Sequence, residues 1–184
     1  MKIVGLVLGA AIALTSGTAS AGLVIDQEQN DASVYMAGFD QTDLAQSFQT
    51  QAYDNIAGAG IFLQPGVGST DNVTIELWDA LPNAGGNLLT SASAQGTQGQ
   101  WVDVFWDAEP IATNTTYYLV FTGNTTLGIA GSTSNPYPFG QVYANPGFQP
   151  FPSFDYTFRT YASVPAPGAL ALLGLAGLAG RRRR

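Results

Sequence analysis

The chain has no cysteine and no histidine among its 184 residues. Without cysteine there are no disulfides, no catalytic thiols and no thiolate metal sites. Without histidine the usual general base near neutral pH is missing, and with it the commonest transition-metal ligand. Neither a Ser-His-Asp nor a Cys-His arrangement can be built. Lysine occurs once, at Lys2, so Schiff-base and Ser-Lys chemistry are absent from the body of the chain. Positive charge is scarce altogether. Lys2 and Arg181, Arg182, Arg183 and Arg184 lie at the two ends, and Arg159 is the one basic residue between them. All thirteen acids fall between Asp26 and Asp155. An interior of that sign repels phosphate backbones and anionic lipid, which excludes nucleic acid as a partner. Carboxylate chemistry and hard-cation binding remain open.

The N-terminus reads MKIVGLVLGAAIALTSGTASAGLV. Lys2 opens a short apolar run from Ile3 to Leu14, and Ala19 and Ala21 supply the small residues that signal peptidase tests. This pattern predicts a signal-peptide helix over residues 1–21, cleaved after Ala21. The C-terminus reads VPAPGALALLGLAGLAGRRRR. Val164, Pro165, Ala166 and Pro167 form a stiff, extended spacer, because each proline fixes its own φ and biases the residue before it. Residues 168–180 are apolar and rich in helix formers. A helix from Val164 to Gly180 would span about 25 Å, slightly short of a bilayer core of about 30 Å. The four arginines act as a stop and place the preceding domain outside the cytoplasm, as the signal peptide does independently.

The tail of VPAP, a Gly/Ala/Leu helix and RRRR resembles the tripartite PEP-CTERM sorting signal of Gram-negative bacteria, with Ala166 where that family usually carries Glu. The resemblance covers about the last 21 residues. It implies an exosortase-type transpeptidase as partner, transient anchoring in the inner membrane, and delivery to the cell surface or an exopolysaccharide matrix. A plain C-terminal membrane anchor that is never cut is the simpler alternative.

Between the ends the texture is all-β. In NVTIELWDA, Val73, Ile75 and Leu77 alternate with Thr74, Glu76 and Trp78. In WVDVFWD, Val102, Val104 and Trp106 alternate with Trp101, Asp103 and Phe105, which predicts a core place for Trp106 and a half-exposed face for Trp101 and Phe105. TTYYLVFTG, DYTFRTYA, LAQSFQT and NIAGAGIFLQ read as further strands. Pro65-Gly66, Gly68-Ser69, Pro82-Asn83, Gly85-Gly86 and Gly123-Asn124 mark turns between them. The expectation is one antiparallel, jelly-roll-like β-sandwich over residues 22–162, followed by the tail at 163–184. The order of these runs, from Leu44 to Ala162, is similar to the jelly-roll modules of secreted bacterial proteins with varied surface anchors. That resemblance implies a fold related to carbohydrate-binding sandwiches. Its motifs, IELWD and FRTY, are structural and carry no chemistry.

Candidate sites are few. The segment Ser132 to Phe158 carries Tyr137, Phe139, Tyr143, Phe148, Phe151 and Phe154 among prolines and glycines. As a stiff loop it either presents rings to sugars or folds over one end of the sandwich and buries them. Tyr137, Phe139, Tyr143 and Trp101 are the glycan-binding candidates. Asp26, Glu28 and Asp31 near the start of the domain, with Asp155 near its end, are candidates for a calcium ion if the termini meet. A carboxylate pair such as Glu76 with Asp103 is the least specific possibility, a glycoside hydrolase. Sequons at Asn72, Asn114 and Asn124 fit Thr/Asn-rich turns and strands. The sequence therefore points to a non-enzymatic exported protein associated with extracellular polysaccharide. A calcium-assisted, lectin-like module is the alternative.

Overall fold

The computed structural model describes residues 22–64 and 70–165. The expected signal peptide with Ala19 and Ala21 lies outside the described residues. So do the expected turns at Pro65-Gly66 and Gly68-Ser69, residues Ala166 and Pro167, the expected membrane helix over 168–180, and Arg181 to Arg184. No helix among the described residues is long and apolar enough to cross a membrane.

The all-β expectation holds, in three antiparallel sheets. The first sheet has the order β1-β13-β4-β7. It is built from β1 (Gly22–Gln29), β13 (Phe158–Val164), β4 (Asn55–Phe62) and β7 (Trp101–Pro110). The second has the order β11-β10-β3-β8-β5-β6. Its strands are β11 (Gln149–Phe151), β10 (Val142–Ala144), β3 (Leu44–Gln49), β8 (Thr116–Gly123), β5 (Thr70–Trp78) and β6 (Leu88–Thr97). A third, smaller sheet places β9 (Gly128–Ser132) between β12 (Asp155–Tyr156) and β2 (Val34–Gly38). An isolated bridge between Leu63 and Ile129 ties it to the end of β4.

Period-two alternation decides which side of each strand faces in. Val73, Ile75 and Leu77 of β5 are buried, as are Tyr117, Leu119 and Phe121 of β8. From the first sheet Ile56, Ala59, Ile61, Val102, Val104 and Phe158 join them in one continuous core. Trp106, expected in the core, is only half-buried; it packs at the core's margin and its Nε1 donates to the Ile56 carbonyl at 3.0 Å.

The outer side of the second sheet carries a smaller cluster of its own. Ala45, Val120 and Phe148 are buried there, with Trp78, Leu81 and Tyr143 packed against them. This explains why β3 is buried along both faces. The turn between β10 and β11 folds back over the sheet and is pinned at Gly147. Its N–H donates to Asp43 at 2.6 Å, and its carbonyl accepts from Asn83 Nδ2 at 2.8 Å. The expected turns at Pro82-Asn83 and Gly85-Gly86 sit in the β5–β6 loop. That loop is closed by Asp79, whose carboxylate accepts from the Asn87 N–H at 2.6 Å and from its side chain at 2.8 Å.

Three expectations need correction. Ser132 to Phe158 is not one loop, since it contributes β10, β11 and β12. DYTFRTYA is not one strand. The chain leaves the small sheet at Thr157 and enters the four-stranded sheet at Phe158, so each half pairs with a different neighbour. The Thr157 hydroxyl secures that crossing by donating to the Asp31 carbonyl at 2.6 Å. Finally, β13 runs through Val164, which pairs with Gly22. Val164, expected to begin the spacer, is the last residue of a strand, and Pro165, with no N–H to donate, follows it. Gly22, the first residue after the expected cleavage point, begins β1.

Phe48 is fully buried and its ring meets Tyr117 at a centroid distance of 6.4 Å. Phe48→Ala is expected to lower stability by about 3–5 kcal/mol in chemical denaturation, because the cavity cannot collapse between two sheets.

Candidate functional site

The outward face of the four-stranded sheet carries an aromatic platform. Strand register sets Arg159, Gly60 and Asp103 side by side in one row, with Glu28 beyond Arg159, and Ile25, Tyr161, Gly58 and Phe105 in the next outward row. Phe62 and Trp101 are register partners in the outward row on the other side of Asp103, and their rings meet edge to face at 5.7 Å. Phe105 packs on Tyr161 at 5.1 Å and is 50% exposed. The expected half-exposed face of Trp101, Asp103 and Phe105 is therefore present, with partners the strand itself does not reveal.

Gly58 and Gly60 form the floor. A methyl group on Gly60 would collide with the Asp103 carboxylate, and one on Gly58 would press on the Val104 carbonyl and the Phe105 ring. The missing side chains let Arg159 reach across β4 to Asp103. Its Nε donates to Oδ1 at 2.8 Å and its Nη2 to Oδ2 at 2.5 Å. The guanidinium lies over the Trp101 ring, 4.1 Å from the centroid. Tyr161 adds a hydrogen bond to Asp103 at 2.9 Å. The bond to Asp103 raises the Arg159 pKa, and burial first, then Asp103, raises that of Tyr161. Arg159 is thus neutralised in place, and the face it supports is aromatic and carries no free cation.

The glycan candidates of the Ser132–Phe158 segment separate. Tyr137 is 5% exposed, its ring stands edge-on to Phe158 at 5.1 Å, and its hydroxyl is held by Gln27 and Gln49. Burial pushes that hydroxyl's pKa up to about 12. The ring is core, so the expectation that Tyr137 stacks on a glycan is corrected. Tyr143 is half-buried against Tyr118 at 5.7 Å in the outer cluster. Phe148 is buried there too. Only Phe139 of the named candidates in this segment stands open, at 42%. Phe151 and Phe154 are half-buried and stacked in parallel at 5.9 Å.

The calcium candidates do not converge. Among the described residues no three acidic side chains come together. Asp155 is fully buried and both its oxygens are occupied: Gln46 Nε2 donates to Oδ1 at 2.9 Å and the Tyr137 N–H to Oδ2 at 3.0 Å. Burial raises its pKa against the pull of these two bonds. Asp26 is raised by burial and accepts from Gln27. Glu28 is exposed, opposite Arg159 in the register. Asp31 is engaged by the Ser33 N–H at 3.0 Å. The carboxylate pair fails as well. Glu76 accepts from Trp78 Nε1 at 2.8 Å on the outward side of the second sheet, and Asp103 is held by Arg159 on the outward side of the first. Two groups on opposite outer surfaces cannot flank one glycosidic bond.

Sequence reasoning missed Phe62, Arg159 and Tyr161 as members of the platform. The signal that points to them is Gly58 and Gly60 in a strand, two residues apart and therefore on one face. No protein-family model matches the chain, and no curated protein matches it.

Gln46 serves Asp155 and also accepts from the Tyr156 N–H at 2.9 Å. Gln46→Leu would leave a buried N–H unpaired and a buried carboxylate short of one donor. The expected loss is about 2–4 kcal/mol near pH 7. The lost donor favours the charged form, so its removal raises the Asp155 pKa further. The deficit should therefore shrink as pH falls through that value, and be smaller at about pH 3, where both proteins carry protonated Asp155. Urea denaturation at the two pH values measures this. An equal deficit at both would show that Asp155 is not the group affected.

Proposed function

We propose that this chain is an exported, non-enzymatic surface or matrix protein whose jelly-roll-like domain associates with extracellular polysaccharide. In this reading residues 1–21 direct export through signal peptidase. Residues 163–184 act as a PEP-CTERM-like tail, held in the inner membrane through residues 168–180 and processed by an exosortase-type transpeptidase. The observation that supports the binding role is the platform of Trp101, Phe62, Phe105 and Tyr161 over the two-glycine floor. Flat aromatic rings offer an apolar face to the C–H side of a sugar ring, and their rigid packing lowers the ordering cost of binding. The acidic interior of the chain favours neutral over anionic polymers, because like charge is repelled at short range.

Retention of the full chain on insoluble neutral polysaccharides tests the role. Trp101→Ala and Phe105→Ala should each weaken retention about ten-fold, the loss of one stacked ring. Unchanged retention in both would end the platform reading. Cell fractionation tests the route. The reading expects the domain outside the inner membrane, with the first 21 residues removed. Full-length protein in the cytosol with both ends intact would overturn it.

A further inference from the structure

β1 is unlike the other strands of its sheet. β13, β4 and β7 each send side chains into the main core, among them Phe158, Ile61 and Val104. From Gly22 to Glu28, β1 sends none, and no residue there is fully buried. It is an edge strand, paired with β13 alone, and its ladder is interrupted between Ile25 and Glu28. A strand without core contacts opens at a small fraction of the cost of unfolding the domain.

Besides the ladder, what holds β1 is polar. At the interruption the Gln27 N–H donates to Thr160 Oγ1 at 3.2 Å. The Gln27 side chain accepts from the Tyr137 hydroxyl at 3.0 Å. That hydroxyl has one proton and a second acceptor, the Gln49 carbonyl at 3.2 Å, so it keeps a partner if Gln27 leaves. Beside Gln27, Asp26 is half-buried. Its Oδ1 accepts from Gln27 Nε2 at 3.1 Å, while its Oδ2 is closed off from solvent with no partner among the described residues. A carboxylate oxygen in that position is unfavourable, and burial raises the pKa of the group accordingly. Water would satisfy it once the strand lifted. Leu23 and Ile25 are exposed already, so lifting them uncovers little apolar surface. Only the far end is firmly tied. Gln29 is buried, and its Nε2 donates to the carbonyls of Asp31 and Tyr156 at 3.0 and 3.1 Å.

We propose that β1 is a hinged strap: residues 22–28 lift from β13 while the rest of the domain stays folded, turning about Gln29 and released at the Gln27–Tyr137 hydrogen bond. The strap covers the edge of β13. Open, it bares the backbone of FRTYASV, Phe158 to Val164, a run with no acid, whereas β1 itself carries Asp26 and Glu28. An unpaired edge of that kind is a template for pairing with another strand. The strap also takes Ile25 from beside Tyr161 and Glu28 from beside Arg159, so its state sets one margin of the aromatic face. It does so whatever that face binds.

Amide hydrogen exchange on the full chain in detergent solution, at about pH 7, tests it. Relative to their unfolded rates, the β1 amides bonded to β13 should exchange about 100-fold faster than the ladder amides of β4 and β8, and stay insensitive to low urea. Gln27→Leu should speed β1 exchange about ten-fold, the loss of one hydrogen bond, and leave β4 and β8 unchanged. Asp26→Asn, which keeps the shape without the charge, should slow β1 exchange several-fold. Because the chain has no cysteine, Leu23→Cys with Ser163→Cys, at register partners on the outward face, can tie the strap down. Oxidised, this pair should bring β1 exchange down to the rate of β4, and reduction should restore it. β1 amides as protected as those of β4 in the unmodified chain would overturn the proposal, and that result needs no variant to fold. Equal acceleration of β1 and β8 in Gln27→Leu, or unchanged β1 exchange in Asp26→Asn, would overturn it too.

Discussion

The arrangement turns on one buried carboxylate. Asp155 sits fully inside the domain and accepts hydrogen bonds from Gln46 on β3 and from the backbone of Tyr137. Gln46 returns a bond to the N–H of Tyr156. Three pieces of chain far apart in sequence are thereby fixed against each other: a strand of the large sheet, the start of the aromatic segment, and the short strand that leads into β13. A buried charge is tolerable only when its oxygens are occupied, and the network satisfies that condition with two donors. Its geometric consequence is larger than its energy. It holds Tyr156 in the core, where its ring meets Phe121, and it turns the Tyr137 ring inward onto Phe158.

The second constraint is steric. Gly58 and Gly60 clear a lane across the middle of the four-stranded sheet, and the side chain of Arg159 crosses it to reach Asp103. The one cation between Lys2 and Arg181 is spent on a partly exposed ion pair. Such a pair contributes modestly to stability in its own right. Stacked on Trp101 and bonded to both carboxylate oxygens, it organises the surrounding rings instead. The result is an aromatic face whose one cation is paired, with exposed Glu28 at its margin, on a domain that is otherwise strongly acidic.

These two features pull the functional reading in one direction. The glycine lane yields an open face of aromatic rings, and the Asp155 network fixes how the aromatic segment packs on the sandwich. Neither feature resembles an acid–base pair poised over a scissile bond. Of the six rings named in the aromatic segment, Tyr137 and Phe148 are buried, Tyr143 is half-buried in the outer cluster, and Phe139 is exposed. The remaining pair, Phe151 and Phe154, is the one that lines a cavity. The segment both covers the sandwich and presents rings, and the division follows from which positions fall on strands β10 to β12.

Local pattern was enough for part of this structure. The alternation in β5, β7 and β8 and the exposure of Trp101 and Phe105 follow from period-two geometry, which depends only on neighbours in the chain. The absence of histidine and cysteine likewise excluded whole classes of chemistry without reference to any fold. Strands such as β9, GIAGS, buried on every residue, carry no alternation and could not be found that way. Nor could the split at Thr157, because DYTFRTYA alternates smoothly while its two halves bond to different sheets. The meeting of Arg159 with Asp103, the fate of Tyr137 and the burial of Tyr156 depend on contacts across many tens of residues. Side-chain type sets what such groups can do; only the packing of one sheet on another decides which of them meet.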